Sequence, residues 1–254
     1  MALTALVLSG GGMFGAYQAG VWAELEDWFQ PDIVIGASVG ALNGWAIAGG
    51  ITGAQLIETW LHPERAAAPV MRFPRSWRDG VFDPALLESW IQTLYGSFRP
   101  QRRIAIALTE MWNLQPVLIQ DDEIQWQHLA ASCAVPGFLP QYRIDGHNYA
   151  DGGLLQALPL WAAARVGVTH LVGVNLLPAA GPSILTMGYR ALQRVANFKH
   201  APEAAEACSV ILAPEPPLGP PTAMIRWDRQ RVEKWIERGR IDTRAKKHFV
   251  CDMF

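Results

Sequence analysis

Apolar positions run together at residues 3–8 and stop at Ser9-Gly10-Gly11-Gly12, the pattern of a short strand entering a glycine turn. From residue 16 to 28 the spacing is helical. Val21, Trp22, Leu25, Trp28 and Phe29 share a face, and Pro31 ends the run. Ile33-Val34-Ile35 makes a second strand, residues 36–40 a turn, and residues 41–48 a second helix closed by Gly49-Gly50. Residues 62–84 lose any period and are rich in Pro and Arg, so they read as an irregular excursion or a cap. Beyond them the pattern predicts a helix at 85–95, strands at 104–108 and 117–119, and a helix at 126–134 stopped near Pro136. A helix at 160–165, strands at 171–176 and 209–212, and a charged helix at 226–238 follow, with loops at 181–182 and 213–221. Strands alternating with helices predict an α/β fold with a largely parallel sheet.

Composition narrows the class. The 254 residues are half hydrophobic and only 17% charged, enough for one substantial core, so a single domain over residues 1–254 is expected. A formal net charge of −2 is too small for a protein that holds nucleic acid by a general basic field. Cys133, Cys208 and Cys251 form neither a disulfide framework nor a C-x-x-C pair. They read as buried or neutral thiols in a reducing compartment, so the cytoplasm is the expected location. The opening MALTALVLSGGG has no basic region and reads as a strand rather than a signal peptide. No apolar run approaches the roughly 18 residues that span a bilayer. A lipid substrate, if there is one, would have to be met from the water side, with peripheral contact at most.

Gly36-Ala37-Ser38-Val39-Gly40 matches the pattern G-x-S-x-G between a strand and a helix. Small residues two before and two after the serine let the chain turn sharply. The hydroxyl is then exposed at the carboxyl edge of the sheet, where the following helix favours negative charge. Ser38 is thus a candidate nucleophile, with an ordinary helix-capping serine as the alternative. Such a nucleophile needs donors for the oxyanion. Gly10, Gly11 and Gly12 offer consecutive uncovered N–H groups at the end of the first strand, on the same edge of a parallel sheet. With Gly15 they also satisfy the dinucleotide pattern G-x-G-x-x-G. The ribose-binding acid expected at the end of the next strand is missing, however: Gly36 stands there, and Asp32 lies before the strand. No Lys-Ser or Lys-Thr pair follows the glycines, which argues against a phosphate-cradling P-loop.

A base is also required. The six histidines lie in no obvious motif. Asp151 precedes Gly152-Gly153, on a turn with little side-chain cover. A purely structural Asp-Gly turn is the alternative, and Asp145 is a fallback base without the double glycine.

Taken together, SGGGMFGAYQAGV (9–21), GASVGALNG (36–44), ASCAVPGFLP (131–140) and DGGLLQALP (151–159) resemble the patatin-like phospholipase family over residues 4–176. The resemblance implies a three-layer α/β/α fold, with residues 177–254 completing strands and C-terminal helices. It implies a Ser38–Asp151 dyad without histidine, an oxyanion hole at Gly10, Gly11 and Gly12, and supporting roles for Gly15, Gly36, Gly40, Gly152 and Gly153. It also implies lipid acyl-ester substrates, no metal and no cofactor. In one place the chain departs from the family, which carries Arg or Lys just before the last loop glycine where this chain has Phe14. That removes a cation from near the oxyanion loop and leaves the backbone donors untouched.

Two further regions have readings of their own. Residues 65–82 mix Arg65, Arg72, Arg75 and Arg78 with Met71, Phe73, Trp77 and Phe82. This suits a lid or a contact with anionic lipid, the alternative being a loop whose aromatics tuck onto the core. The final helix places Val232, Trp235 and Ile236 on one face, which suits docking on the core. Two rival functions remain at this stage. One is an α/β-hydrolase triad of Ser38, Asp151 and His170 or His200, although that fold needs more strands before its elbow. The other is a non-catalytic lipid-binding relic of the same fold.

Overall fold

A computed structural model describes residues 2–62, 70–74, 76, 78–178 and 207–252. The loop expected at 181–182, together with Arg65, Arg75, Trp77 and His200, lies outside the described residues.

Eight strands form one mixed sheet in the order β5-β6-β3-β2-β1-β7-β8, with β4 also on β3. They are β1 Thr4–Leu8, β2 Ile33–Ala37, β3 Arg103–Glu110, β4 Gln115–Gln120, β5 Tyr142–Ile144, β6 His147–Asp151, β7 His170–Val174 and β8 Cys208–Leu212. The run β3-β2-β1-β7-β8 is parallel, while β4, β6 and β5 join antiparallel. Among the described residues there are seven α-helices: α1 Gly15–Leu25, α2 Val39–Ala48, α3 Gly53–Leu61, α4 Ala85–Ser97, α5 Trp126–Ser132, α6 Leu160–Val166 and α7 Arg229–Cys251.

The strand alternation assigns the two faces. In β3, Ile104, Ile106 and Leu108 join the larger core with Leu6, Leu8, Val34, Val172 and the apolar sides of α1–α5 and α7. Ala105 and Ala107 turn the other way, with Ala5, Val7, Ile33 and Ile35, and meet Trp161, Ala162 and Ala163 of α6. Helices therefore cover both faces, in three layers.

Five elements differ from expectation. The helix α3 is unforeseen, although Thr52 and Gln55 close a capping box at its start. Residues 142–151, to which the sequence pattern assigns no element, form the β5–β6 hairpin. Its turn, Asp145-Gly146, has positive φ at both residues. The first helix stops at Leu25, where the Leu25 carbonyl accepts the N–H groups of Trp28 and Phe29. The last helix runs on to Cys251, well past the expected end at Arg238. Gly239 does not stop it; that glycine is where α7 lies against α1, and a Cβ there would come within 2.2 Å of the Tyr17 carbonyl oxygen.

Candidate active site

The carboxyl ends of β1 and β2 lie side by side, with Leu8 paired to Gly36. After β2 the chain turns at Ser38, whose φ of 53° and ψ of −128° are strained for a non-glycine residue. Such a turn needs glycine on both flanks. A Cβ on Gly36 would sit 2.3 Å from the Gly40 oxygen, and one on Gly40 would sit 2.4 Å from the Leu8 oxygen. Ser38 makes no side-chain cap to α2, so it is not an ordinary capping serine.

Asp151 reaches Ser38 by a route that strand spacing does not reveal. Along one edge β3 pairs with β4 over residues 105–110, which leaves the other edge to two partners. Parallel β2 holds it up to Ala37 opposite Ala107, and antiparallel β6 holds it from Asp151 opposite Leu108. The carboxyl ends of β2 and β6 thus meet head-on at adjacent positions of β3. The Ser38 hydroxyl faces the Asp151 carboxylate closely enough to pull its pKa down, and Gly153 N–H donates to Asp151 Oδ1 at 2.7 Å. Burial pushes the Asp151 carboxyl up to about 6, against the downward pull of Ser38 and of the Gly153 hydrogen bond. Thr109 Oγ1 fixes the backbone by donating to the Asp151 carbonyl at 2.9 Å. Gly152 lies against the Ala107 carbonyl.

The glycine run closes the third side. Gly10 Cα is near Gly153, and a Cβ on Gly10 would lie 3.2 Å from Ser38 Cβ. Its N–H donates to the Ala157 carbonyl at 2.9 Å, so Gly10 offers no free donor. No acceptor among the described residues takes the N–H of Gly11 or Gly12. Gly12 has φ of 55° and approaches the Met224 carbonyl, where a Cβ would come within 2.4 Å. Gly15 opens α1 against Val39 and Trp60. A buried polar chain anchors the loop on both flanks: Gln18 Nε2 donates to the Ser9 carbonyl, and Asn43 Nδ2 donates to both Gln18 Oε1 and the Gly15 carbonyl. Trp60 Nε1 in turn donates to Asn43 Oδ1.

The sequence pattern assigns Ser132 and Cys133 no role at the site, although both lie in the segment 131–140 that carries part of the family resemblance. Ser132 and Cys133 are buried beside Ser38, and the Cys133 thiol lies close to its side chain. Burial and then the Asp151 charge push that thiol up, so it stays neutral. Cys208 and Cys251 are exposed, and all three thiols are free. Phe14 turns away from the loop and packs edge-on against Trp235 at 5.0 Å, so this position belongs to the core. Asp145 lies on an exposed turn at the far end of β6. His170 opens β7 opposite Thr4, at the edge of the sheet away from Ser38. Among the described residues no group of three or more His, Cys, Asp or Glu side chains is placed to hold a metal ion. No described helix is long and apolar enough to cross a membrane.

Fold and site define an α/β protein whose second strand ends in a strained serine elbow, facing a buried aspartate across a glycine loop. A family model described as patatin-like phospholipase matches residues 6–164, and the chain belongs to that family. Among similar curated proteins, the Escherichia coli (strain K12) protein YjjU is 29% identical over 189 residues, which cover 69% of this chain and 52% of YjjU. Human patatin-like phospholipase domain-containing protein 6 is 25% identical over 194 residues, covering 68% of this chain and 13% of that protein. The match thus spans about half of YjjU and a small part of the human relative. The solved structure of VipD from Legionella pneumophila shares the fold, with a TM-score of 0.53 at 11% identity, over 96% of this chain and 66% of that one.

Proposed function

We propose that the chain is a serine lipid acyl hydrolase, cleaving fatty-acyl ester bonds of phospholipids or related lipids through Ser38 and Asp151. The observation that carries this reading is the elbow serine set against a buried carboxylate whose pKa burial has raised. Family membership supports a lipid ester as substrate. Asp151 takes the Ser38 proton as Ser38 Oγ attacks the ester carbonyl, and the N–H groups of Gly11 and Gly12 hold the oxyanion. The leaving alcohol takes the proton from Asp151, leaving an acyl-serine. Water, giving its proton to Asp151, then attacks the acyl-serine; collapse returns a proton to Ser38 and releases the fatty acid. A carboxyl group near 6 is a better base at neutral pH than one at its ordinary 3.8.

The described part of residues 65–82 supports peripheral contact with a membrane. Phe73 is 98% exposed and Met71 73%, with Val70 and Arg78 also exposed. These apolar side chains are not tucked onto the core, and Phe82 packs against Phe138, both half-buried. The segment joins the site through backbone hydrogen bonds from Arg72 to Val81 and from Val81 to Gly137, four residues beyond Cys133.

Hydrolysis of a fatty-acyl nitrophenyl ester series tests the reading. The wild type turns over and takes a fluorophosphonate, while folded Ser38→Ala and Asp151→Asn lose at least about a thousandfold in kcat. A wild type inert on every chain length, or a fully active Ser38→Ala, overturns it.

A further inference from the structure

Where β2 gives way to β6 along β3, one fully buried hydroxyl fills the junction. Ser132 Oγ accepts the Ser38 N–H at 2.8 Å and donates to the Ala107 carbonyl at 2.9 Å. It stands between two backbone groups of neighbouring strands just where β2 leaves the ladder. The Ser132 carbonyl meanwhile accepts the Gly152 N–H at 3.3 Å, and two residues on, the Ala134 carbonyl accepts the Asp151 N–H at 3.0 Å. The end of α5 therefore grips the backbone on both sides of the Ser38–Asp151 pair, and Ser132 bonds to both chain ends.

We infer that Ser132 is a positioning residue for the reaction: its hydroxyl holds the strained Ser38 backbone at the separation from Asp151 that proton transfer needs. This rests on the dyad reading above. The physical case is that an elbow at φ 53° keeps its shape only if surrounding bonds over-determine it. Of those bonds, the one at the Ser38 N–H is supplied by a side chain, so it can be removed without touching the strands. With an alanine at 132, Ser38 N–H and the Ala107 carbonyl are both left without that partner. The elbow relaxes, and Ser38 Oγ drifts from Asp151. Substrate binding through the acyl chain is untouched.

The test compares Ser132→Ala, Ser132→Thr and Ser132→Cys with wild type, with rates normalised to fluorophosphonate-reactive sites at completed labelling. Ser38→Ala and Asp151→Asn run alongside. The expected result for Ser132→Ala is a loss of about 10- to 100-fold in kcat, in line with the cost of a small misplacement of reacting groups, at a KM within about threefold of wild type. The acid limb of its pH–rate profile moves to higher pH, because a displaced Ser38 hydroxyl no longer holds the Asp151 carboxyl down. Ser132→Thr, which keeps the hydroxyl, restores most of kcat. If the alanine variant does not fold, Ser132→Cys fills the same space with a weak acceptor and must show the same selective loss. Wild-type kcat per labelled site, or an unmoved acid limb, in the folded variant overturns the role of Ser132 while leaving the dyad standing. A wild type that takes no fluorophosphonate, or an active Ser38→Ala, overturns both.

Discussion

At Asp151, burial and hydrogen bonding pull in opposite directions, and burial wins, leaving the carboxyl near 6. As the base, Asp151 must be ionised, so kcat/KM is expected to fall tenfold per pH unit below about 6 and to level off above it; a pH–rate profile checks this. The same group bears on stability. Between 3.8 and about 6 the folded chain keeps a proton that the unfolded chain has lost. Its stabilising contribution is therefore full below 3.8 and is lost as pH rises through 6, amounting to on the order of 3 kcal/mol. Asp151→Asn does not titrate. Its stability relative to wild type should rise between pH 4 and pH 7, as read from urea midpoints, and a constant difference would contradict the raised carboxyl. Ser38 and Asp151 were legible in the sequence because their turns need glycine neighbours, which leave a local pattern. Ser132, Gln18 and Asn43 lie within the segments that carry the family resemblance, but their roles were not legible: each acts on backbone far away in the chain, and a single Ser, Gln or Asn in a helix has no local mark of that. Phe14 misled in the other direction, since a position read for its lost cation is occupied by a ring belonging to the core.

Among the elements, α1 and α7 cross at backbone contact. A Cβ on Gly20 would lie 1.9 Å from the Ile236 oxygen, and one on Gly239 would lie 2.2 Å from the Tyr17 oxygen. Main-chain atoms cannot step aside as side chains do, so an added methyl forces the helices apart. Gly20→Ala and Gly239→Ala are each expected to cost about 1–3 kcal/mol or more and to lower Tm. The Phe14–Trp235 pair lies in the same layer, so the glycine loop should feel the shift and activity should fall before unfolding. Gly96→Ala in α4 is the control: nothing lies within 4 Å of its Cβ, and the substitution should be neutral or stabilise by about 0.5–1 kcal/mol. Equal Tm changes in all three would show that the crossing is not tight. The apolar spacing at 232–236 announced the start of α7. Its continuation could not be read, because a glycine inside a helix looks the same whether it ends the helix or admits a neighbour. The β5–β6 hairpin did carry a signal in Asp145-Gly146, hidden by the shortness of its strands.

On the scale of the molecule, the alternation of strand and helix along the chain made a largely parallel sheet legible, and with it the edge where ligands collect. It left unread that β6 returns antiparallel, since nothing local in residues 147–151 states which strand they join. That return places the Ser38–Asp151 pair beside the segment that runs from Ala134 through Phe138 and pairs with residues 81–82 and, through them, 70–72. Val70, Met71 and Phe73 project there, with Arg72 and Arg78 nearby, on a chain whose net charge of −2 gives no general attraction to anionic lipid. Binding to a membrane is therefore expected to rest on these apolar side chains more than on charge, and to survive moderate salt. Burying a Phe or Met side chain contributes about 1.5–3 kcal/mol, so Met71→Asp together with Phe73→Asp should weaken sedimentation with phospholipid vesicles at least tenfold. Hydrolysis of vesicle lipid should drop with it, while turnover of a short, water-soluble nitrophenyl ester stays at the wild-type level, because neither residue touches Ser38 or Asp151. If both substrates are lost together, the segment shapes the site itself. If neither is lost, it is not the face that meets the lipid.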